Sequence, residues 1–451
     1  MKIEKLRGTN LNSFFSLKNK ILTDLKGRPF LRNVLLLAGG TALAQIIMIA
    51  TSPIISRLFS PEDMGVLSVY TSILGMIAAF ATLRFELAIP IADNDESAIN
   101  VLSLSLISVA VVSIVVLVFT TTFANSITTI LNAQSLKPFL WLLSVGTIGI
   151  GVYTTFLHWT MRKRAYKDIT RTKVNQGIAK VAVQITSGFV GLGPIGLILG
   201  EILGQAFGIR ALSKSLLHEE MRVWREINIR SMKSMASRYK KFPLVSSWSA
   251  LLNTAGFSLP VLLLSSLYGA EVAGSFGFSQ RIVSIPLNLI GVAISQVFFS
   301  EGATLSKEDP QKLLKLTVST AKKLFLMGLL IAAILILFGP WLFAFVFGDT
   351  WREAGVYSQV LSIMLVTRFA VSPISHALLI LEKQGTQFLL DLLRLVLIII
   401  ALFASKMLEL SPVEAIVAYA ISMVIVYSIT YFAIIRALRQ NARVRNNKPT
   451  S

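Results

Sequence analysis

Apolar blocks about twenty residues long recur along this 451-residue chain, set apart by short polar stretches; Leu324 to Phe347 is one, and Leu395 to Ala404 with its flanks is another. A helix needs roughly 20 apolar residues to cross the hydrocarbon layer of a bilayer, and a soluble core does not require such blocks. Composition agrees, at 54% hydrophobic and 15% charged residues, where soluble domains hold roughly 45–50% and about 25%. About twelve spans are expected, at 33–56, 64–85, 97–122, 138–161, 174–191, 194–213, 242–267, 272–300, 324–347, 354–381, 384–405 and 413–435. The fold class that follows is an all-α polytopic membrane protein.

A net charge of +20 raises the question of nucleic acid, and the placement of the charge answers it. With the amino terminus on the cytoplasmic side, cytoplasmic segments carry 33 of the 43 Lys and Arg. The outer loops carry Arg57, Lys137, Arg352 and Lys406, against Glu62, Asp63, Glu271, Asp349, Glu353 and Glu409. That asymmetry is the positive-inside pattern with both termini cytoplasmic, so no nucleic-acid partner is implied. Asp93, Asp95 and Glu96 form an acidic loop on the inner side, tolerable because acids contribute little to the rule. The arm from Thr9 to Lys26 places Phe14, Leu17, Ile21, Leu22 and Leu25 on one helical face, which fits either a helix on an anionic membrane surface or a disordered basic arm. No cleavable signal peptide is expected, since the first thirty residues are polar and basic.

Several chemistries drop out. There is no cysteine, which excludes disulfides, thiol nucleophiles and thiolate metal sites. His158, His218 and His376 lie far apart and offer no metal-ligand spacing. No phosphate-cradling Gly-rich loop followed by Lys-Ser/Thr occurs, so direct ATP drive is not expected. Outer loops are short, where membrane-bound transferases usually present catalytic residues on a large one. Neither cofactor, metal nor enzyme activity is expected.

The chain repeats itself. Leu58-Phe59-Ser60-Pro61-Glu62-Asp63-Met64-Gly65 follows span 1, and Leu267-Tyr268-Gly269-Ala270-Glu271-Val272-Ala273-Gly274 follows span 7, at an offset of 209 residues. Both place Glu three before Gly at the mouth of the next span. Six spans per half is an even number, so the halves enter the membrane in the same sense, related by a pseudo-two-fold along its normal. Such a plan puts a substrate site between the lobes. The expected organisation is a basic amphipathic arm (1–32), an N-lobe (33–213), a cytoplasmic linker (214–241), a C-lobe (242–435) and a basic cytoplasmic tail (436–451).

Charges inside spans are the candidate site. A central Arg costs roughly 2.5–3.5 kcal/mol on translocon scales, and Arg281, Arg368 and Arg394 are each expected near the midplane. Asp391, three residues before Arg394, shares its helix face and can pair with it, as a structural bridge or as part of a site. Lys180 and Glu201 occupy adjacent spans at depths that differ, toward the inner and outer sides. Arg84 and Glu86 fall at the inner end of span 2, where snorkelling is the simpler account. Arg281 and Arg368 have no acid within a helical turn, though a distant one such as Glu201 can neutralise either. Two unpaired guanidiniums favour an anion, phosphate above all, through bidentate hydrogen bonds. The prolines Pro53, Pro243, Pro260, Pro286, Pro340 and Pro373 supply possible kinks for alternating access.

The succession Gly40-Thr41-Ala42-Leu43-Ala44-Gln45, Arg57 to Gly65, Leu83-Arg84-Phe85-Glu86-Leu87-Ala88-Ile89-Pro90 and the acidic turn Asp93–Glu96 resembles the polysaccharide biosynthesis (O-antigen flippase) family of the multidrug/oligosaccharidyl-lipid/polysaccharide exporter superfamily. Phe347-Gly348-Asp349-Thr350-Trp351-Arg352-Glu353-Ala354 resembles the outer turn such proteins carry between spans 9 and 10. The resemblance implies a V-shaped, MATE-like transporter in the bacterial inner membrane. Its cargo would be an undecaprenyl-pyrophosphate-linked oligosaccharide, an O-antigen or other surface polysaccharide repeat unit, moved from the cytoplasmic to the periplasmic leaflet. Arg281, Arg368, Arg394 and Lys180 are the candidate pyrophosphate contacts. Glu201, Asp391 and Glu86 are the candidates for coupling to a Na+ or H+ gradient. Membrane lipids and the polysaccharide polymerase and chain-length machinery are the further expected partners. A multidrug/cation antiporter of the same superfamily and a peptidoglycan lipid-precursor flippase are the alternatives; the excess of Arg over acid counts against the first, and a count of twelve spans rather than fourteen against the second.

Overall fold

The structure, a computed structural model, describes residues 29–219 and 223–446; the proposed surface helix at 9–26 lies outside them. Its long helices are α1 (Pro29–Leu58), α2 (Pro61–Ala81), α3 (Asp95–Thr122), α4 (Leu142–Arg162), α5 (Tyr166–Phe189), α6 (Pro194–Glu219), α7 (Ser247–Tyr268), α8 (Ala270–Val283), α9 (Val292–Glu308), α10 (Pro310–Phe347), α11 (Arg352–Val371), α12 (Gln384–Met407) and α13 (Pro412–Asn446). Helices α8 and α9 are one crossing, broken after Pro286 by a π-helical turn at Leu287–Gly291. The start of the seventh crossing is likewise π-helical, at Phe242–Ser246 around Pro243. Two boundaries move: α1 begins at Pro29, before the expected arm ends, and α13 runs through the first residues assigned to the tail.

Among the described residues, eleven stretches are long and apolar enough to cross a membrane. The crossing that falls short is α5. It is twenty-four residues long, yet carries Gln176, Lys180 and Gln184 at four-residue intervals, one face of a helix. That face is zipped antiparallel to α6. Gln176 donates to Gln205 at 3.0 Å, Lys180 pairs with Glu201, and Gln184 donates to the carbonyl of Leu197 at 3.3 Å. Gly196, Gly200, Gly204 and Gly208 line the same face of α6, and a Cβ at Gly200 or Gly208 would fall 2.4 or 2.3 Å from the side chain of Gln184 or Gln176. Small residues every fourth position let two membrane helices approach closely. Here the room they leave holds polar side chains, which satisfy one another away from lipid.

The outward surface is apolar, as lipid contact requires: Leu330, Leu337, Phe338, Trp341 and Phe345 of α10, and Val111, Ile114, Val115 and Phe119 of α3, are all exposed.

The two lobes meet where the 209-residue repeat places its turns, and the contact obeys the repeat. A Cβ on Gly65 would lie 1.9 Å from the carbonyl oxygen of Ala270, and one on Gly274 would lie 1.9 Å from that of Pro61. Each glycine thus seats against the repeat-mate of the other's own turn, with α2 and α8 crossing backbone to backbone. Ser56 donates to the carbonyl of Phe347 at 3.0 Å, and its repeat-mate Ser265 donates to that of Leu131 at 2.7 Å. Trp351, buried in the turn that followed the family pattern, adds a bond from Nε1 to the carbonyl of Ser56 at 2.8 Å. These contacts seal one end of the lobe junction.

The opposite, basic end carries the linker. Its helix Ile229–Arg238 packs on the first lobe: Asn100, fully buried, donates to the carbonyl of Glu226 at 3.1 Å and accepts from the amide of Asn228 at 3.0 Å. Met235, Tyr239 and Phe242 join the cluster of Phe85, Ile89, Ile99 and Trp159. The acidic loop that sat awkwardly on a basic side now has its reason. Asp93 pairs with Arg238 at 2.5 Å, and Asp95 with Arg162 and Lys163 at 2.9 and 3.0 Å.

Candidate functional site

Between the lobes, on the basic side of the seal, lies a cavity of about 400 Å³, walled by α1, α2, α5, α7, α8, the π-turn and α11. The volume falls within the range of ordinary ligand sites. Its polar lining comes from Gln45, Ser52, Gln184, Gln280, Ser284 and Asn288, and its charge from Arg281 and Arg368. A recess of about 120 Å³ adjoins it along α2, and Arg281 belongs to both walls.

Each arginine is held differently. Arg281 is 42% exposed, with Nη2 3.9 Å from Glu201. Arg368 lies over the ring of Phe257 at 5.0 Å and reaches Ser284 Oγ only at 3.5 Å. Arg394 approaches the same ring, also at 5.0 Å, but does not line the cavity. It is buried, pairs with Asp391 at 3.3 Å and donates to the carbonyl of Asn253 at 3.2 Å. Its guanidinium occupies the space a side chain at position 256 would need, since a Cβ on Gly256 would fall 2.4 Å from Nε and Nη2. The Phe257 ring thus lies within cation–π range of two guanidiniums, each attracted by its quadrupole.

Lys180 and Glu201, expected at different depths, form an ion pair. The reason is that α5 begins at Tyr166, so Lys180 lies nine residues from the sealed end of its helix and Glu201 seven from that of α6. Glu201 therefore serves Lys180 and Arg281 together. Glu86 also departs from expectation. Rather than snorkelling at the interface it is buried, accepts from Thr82 and pairs with Arg84 at 3.5 Å, in a turn where Leu83 and Arg84 take positive φ. It stands at the basic end of α2, away from the cavity wall.

The cavity and its immediate surroundings thus contain Lys180, Arg281, Arg368 and Arg394 against Glu201 and Asp391. The formal balance is a surplus of two positive charges. Sequence reasoning missed Phe257 and Gly256, and no periodic signal marks them. The Gln176, Lys180, Gln184 stripe does carry a signal in the sequence, its four-residue spacing.

Comparison with known proteins agrees with this architecture. Residues 54–356 match the family model described as polysaccharide biosynthesis protein. Over 341 residues, 74% of the chain, it is 21% identical to the succinoglycan biosynthesis transport protein ExoT of Rhizobium meliloti (strain 1021), and it spans 65% of that protein's length. Among solved structures it resembles an inward-facing multidrug resistance MATE family transporter of the MOP superfamily, with a TM-score of 0.69 at 15% identity over 88% of this chain and 96% of that one. The lipid II flippase MurJ in an inward closed conformation matches with a TM-score of 0.69 at 14% identity, over 91% and 90%.

Proposed function

Since the chain belongs to the polysaccharide biosynthesis protein family, we propose that it is a flippase for an undecaprenyl-pyrophosphate-linked oligosaccharide, carried from the cytoplasmic to the periplasmic leaflet of a bacterial inner membrane. The observation that carries this reading is the surplus of two positive charges around a cavity between the lobes. A pyrophosphate diester bears one negative charge on each phosphate, and guanidinium binds such oxygens in pairs. Arg281 and Arg368 reach the cavity and are the direct contacts. Arg394 and Lys180 stand behind them and hold the local charge positive.

In this reading the basic end faces the cytoplasm with both termini, and the sealed end faces the periplasm. The cargo enters from the basic side, and rocking of the lobes about their junction exposes it at the other. Glu201 couples the step to an ion gradient. A proton or Na+ on its carboxylate weakens its hold on Arg281, freeing that guanidinium for the pyrophosphate. Asp391 is already committed to Arg394, and Glu86 to Arg84 and Thr82, so both are weaker candidates.

The test is deletion of the gene in its host, scoring surface glycan and the leaflet distribution of lipid-linked oligosaccharide, with complementation by variants. Precursor trapped on the cytoplasmic leaflet supports the proposal. Arg281→Ala or Arg368→Ala should each lower transport by roughly 10- to 150-fold, the worth of a charged hydrogen bond of about 1.5–3 kcal/mol. Full export by both variants at normal protein levels would overturn the pyrophosphate assignment. Normal glycan with altered resistance to cationic compounds would favour a drug exporter, and trapped peptidoglycan precursor a lipid II-type flippase.

A further inference from the structure

A second, separate groove opens at the basic end between α12 and α13. It has a volume of about 530 Å³ and is lined by Lys383, Thr386, Ile429, Phe432, Arg436 and Gln440, among others. We propose that it binds an anionic phospholipid of the surrounding membrane, phosphate on Lys383 and Arg436 and an acyl chain along Ile429 and Phe432.

Depth is the first argument. Helix α13 starts at Pro412 at the sealed end, and at about 1.5 Å per residue a hydrocarbon core of roughly 30 Å runs out near Phe432. Arg436 and Gln440 then stand at headgroup level, and Lys383, just before the first residue of α12, meets them from the neighbouring helix. Chemistry is the second. Among the described residues neither Lys383 nor Arg436 has an ion pair or side-chain hydrogen bond, whereas Asp93 and Asp95 of the other inner loop are both matched to bases. Two unmatched cations with a hydroxyl and an amide beside them suit a phosphate, and basic pockets between membrane helices are where anionic headgroups bind.

The apolar wall is the third. Ile425, Ile429 and Phe432 are exposed and recur on one side of α13, continuing from the lipid-facing surface into the groove. Neither α12 nor α13 contributes a residue to the wall of the cavity between the lobes. The occupant is therefore a resident lipid rather than cargo in transit, and the inference does not rest on what the cavity carries.

The experiment uses the full-length purified protein, with native mass spectrometry and thermal melting in the presence of phosphatidylglycerol, phosphatidylcholine or undecaprenyl pyrophosphate. Phosphatidylglycerol should bind saturably and raise the melting temperature, and phosphatidylcholine should not. Lys383→Gln combined with Arg436→Gln should weaken binding roughly 30-fold, at the scale of one surface charge each. Lys322→Gln with Lys323→Gln, equally basic on α10, should leave it unchanged. Ala433→Trp, which fills the groove without altering charge, should displace the lipid in a protein whose cations are intact. Equal binding of the two phospholipids, or equal loss in both double variants, would overturn the proposal. So would undecaprenyl pyrophosphate displacing phosphatidylglycerol, which would assign the groove to the cargo.

Discussion

Replacing Gly65 with alanine puts a methyl group where the backbone of the other lobe already is. Its Cβ would lie 1.9 Å from the carbonyl oxygen of Ala270, and ordinary contact begins at 3.4 Å, so α2 and α8 must part by about 1.5 Å. The obstacle is backbone rather than a side-chain tip, so rotamer changes give no relief. Overpacking costs typically 1–3 kcal/mol, and this case belongs near the upper figure. A cost of about 3 kcal/mol, borne only while the sealed end is closed, shifts the balance toward its opening by roughly 150-fold. Gly274→Ala should do the same, because its Cβ meets the carbonyl of Pro61 at the same 1.9 Å.

The chain has no cysteine, so a single cysteine at Ser284 in the cavity wall reports access from each side. A membrane-impermeant maleimide supplied at the sealed side should label Ser284→Cys much faster in the Gly65→Ala and Gly274→Ala backgrounds than in the parent. Gly75→Ala is the control, since a Cβ there would sit 3.6 Å from Thr254 Cγ2 in ordinary contact. Equal labelling in the Gly65→Ala and Gly75→Ala backgrounds, with both proteins folded, would refute the view that this crossing is the seal.

Three further outcomes follow from the same geometry. Gly200→Leu should prevent α5 and α6 from closing on their polar ladder, given a Cβ 2.4 Å from Gln184 Cγ; size-exclusion and melting profiles should show a protein destabilised by several kcal/mol, whereas Gly39→Leu, which meets nothing within 4 Å, should be tolerated. Glu201→Gln should make transport insensitive to the ion gradient while leaving cargo bound, and an unaltered gradient dependence would remove Glu201 from the coupling step. The Arg238 guanidinium holds the Asp93 carboxyl below its ordinary range, by hydrogen bond first and charge second. A depressed carboxylate stabilises the docked linker above its unfolded pKa of about 3.9, and that contribution is lost as pH falls through the lower folded value. Proteolysis at the linker should therefore be flat from pH 5 to 8 and rise only in stronger acid, and Asp93→Asn should show slightly faster cleavage at neutral pH, as expected for an exposed pair.

Much of the architecture is additive along the chain, and so could be read without coordinates. Hydropathy sums over a window, which is why, among the described residues, eleven stretches pass as membrane-crossing on apolarity alone, while α5, expected at 174–191, falls short because of its polar face. The Leu58–Gly65 and Leu267–Gly274 turns were recognisable as mates because a duplicated contact keeps its spacing. What they contact was not recognisable, for each turn meets its mate in the other lobe rather than anything nearby in sequence.

Charge pairing between helices depended on the tertiary structure, whereas the Asp391–Arg394 pair, three residues apart on one helix, was legible in the sequence. Whether Lys180 meets Glu201, or Glu201 reaches Arg281 eighty residues away, turns on helix rotation, tilt and the starting residue of α5. Those are set by close packing against Gly196, Gly200, Gly204 and Gly208. Depth estimates from sequence carry errors of a helical turn, about 5.4 Å, and that is more than the difference between an ion pair and two isolated charges. The sequence by itself determined that arginines cross this membrane; only the packing of the two lobes decided which of them face the cavity and which are neutralised behind it.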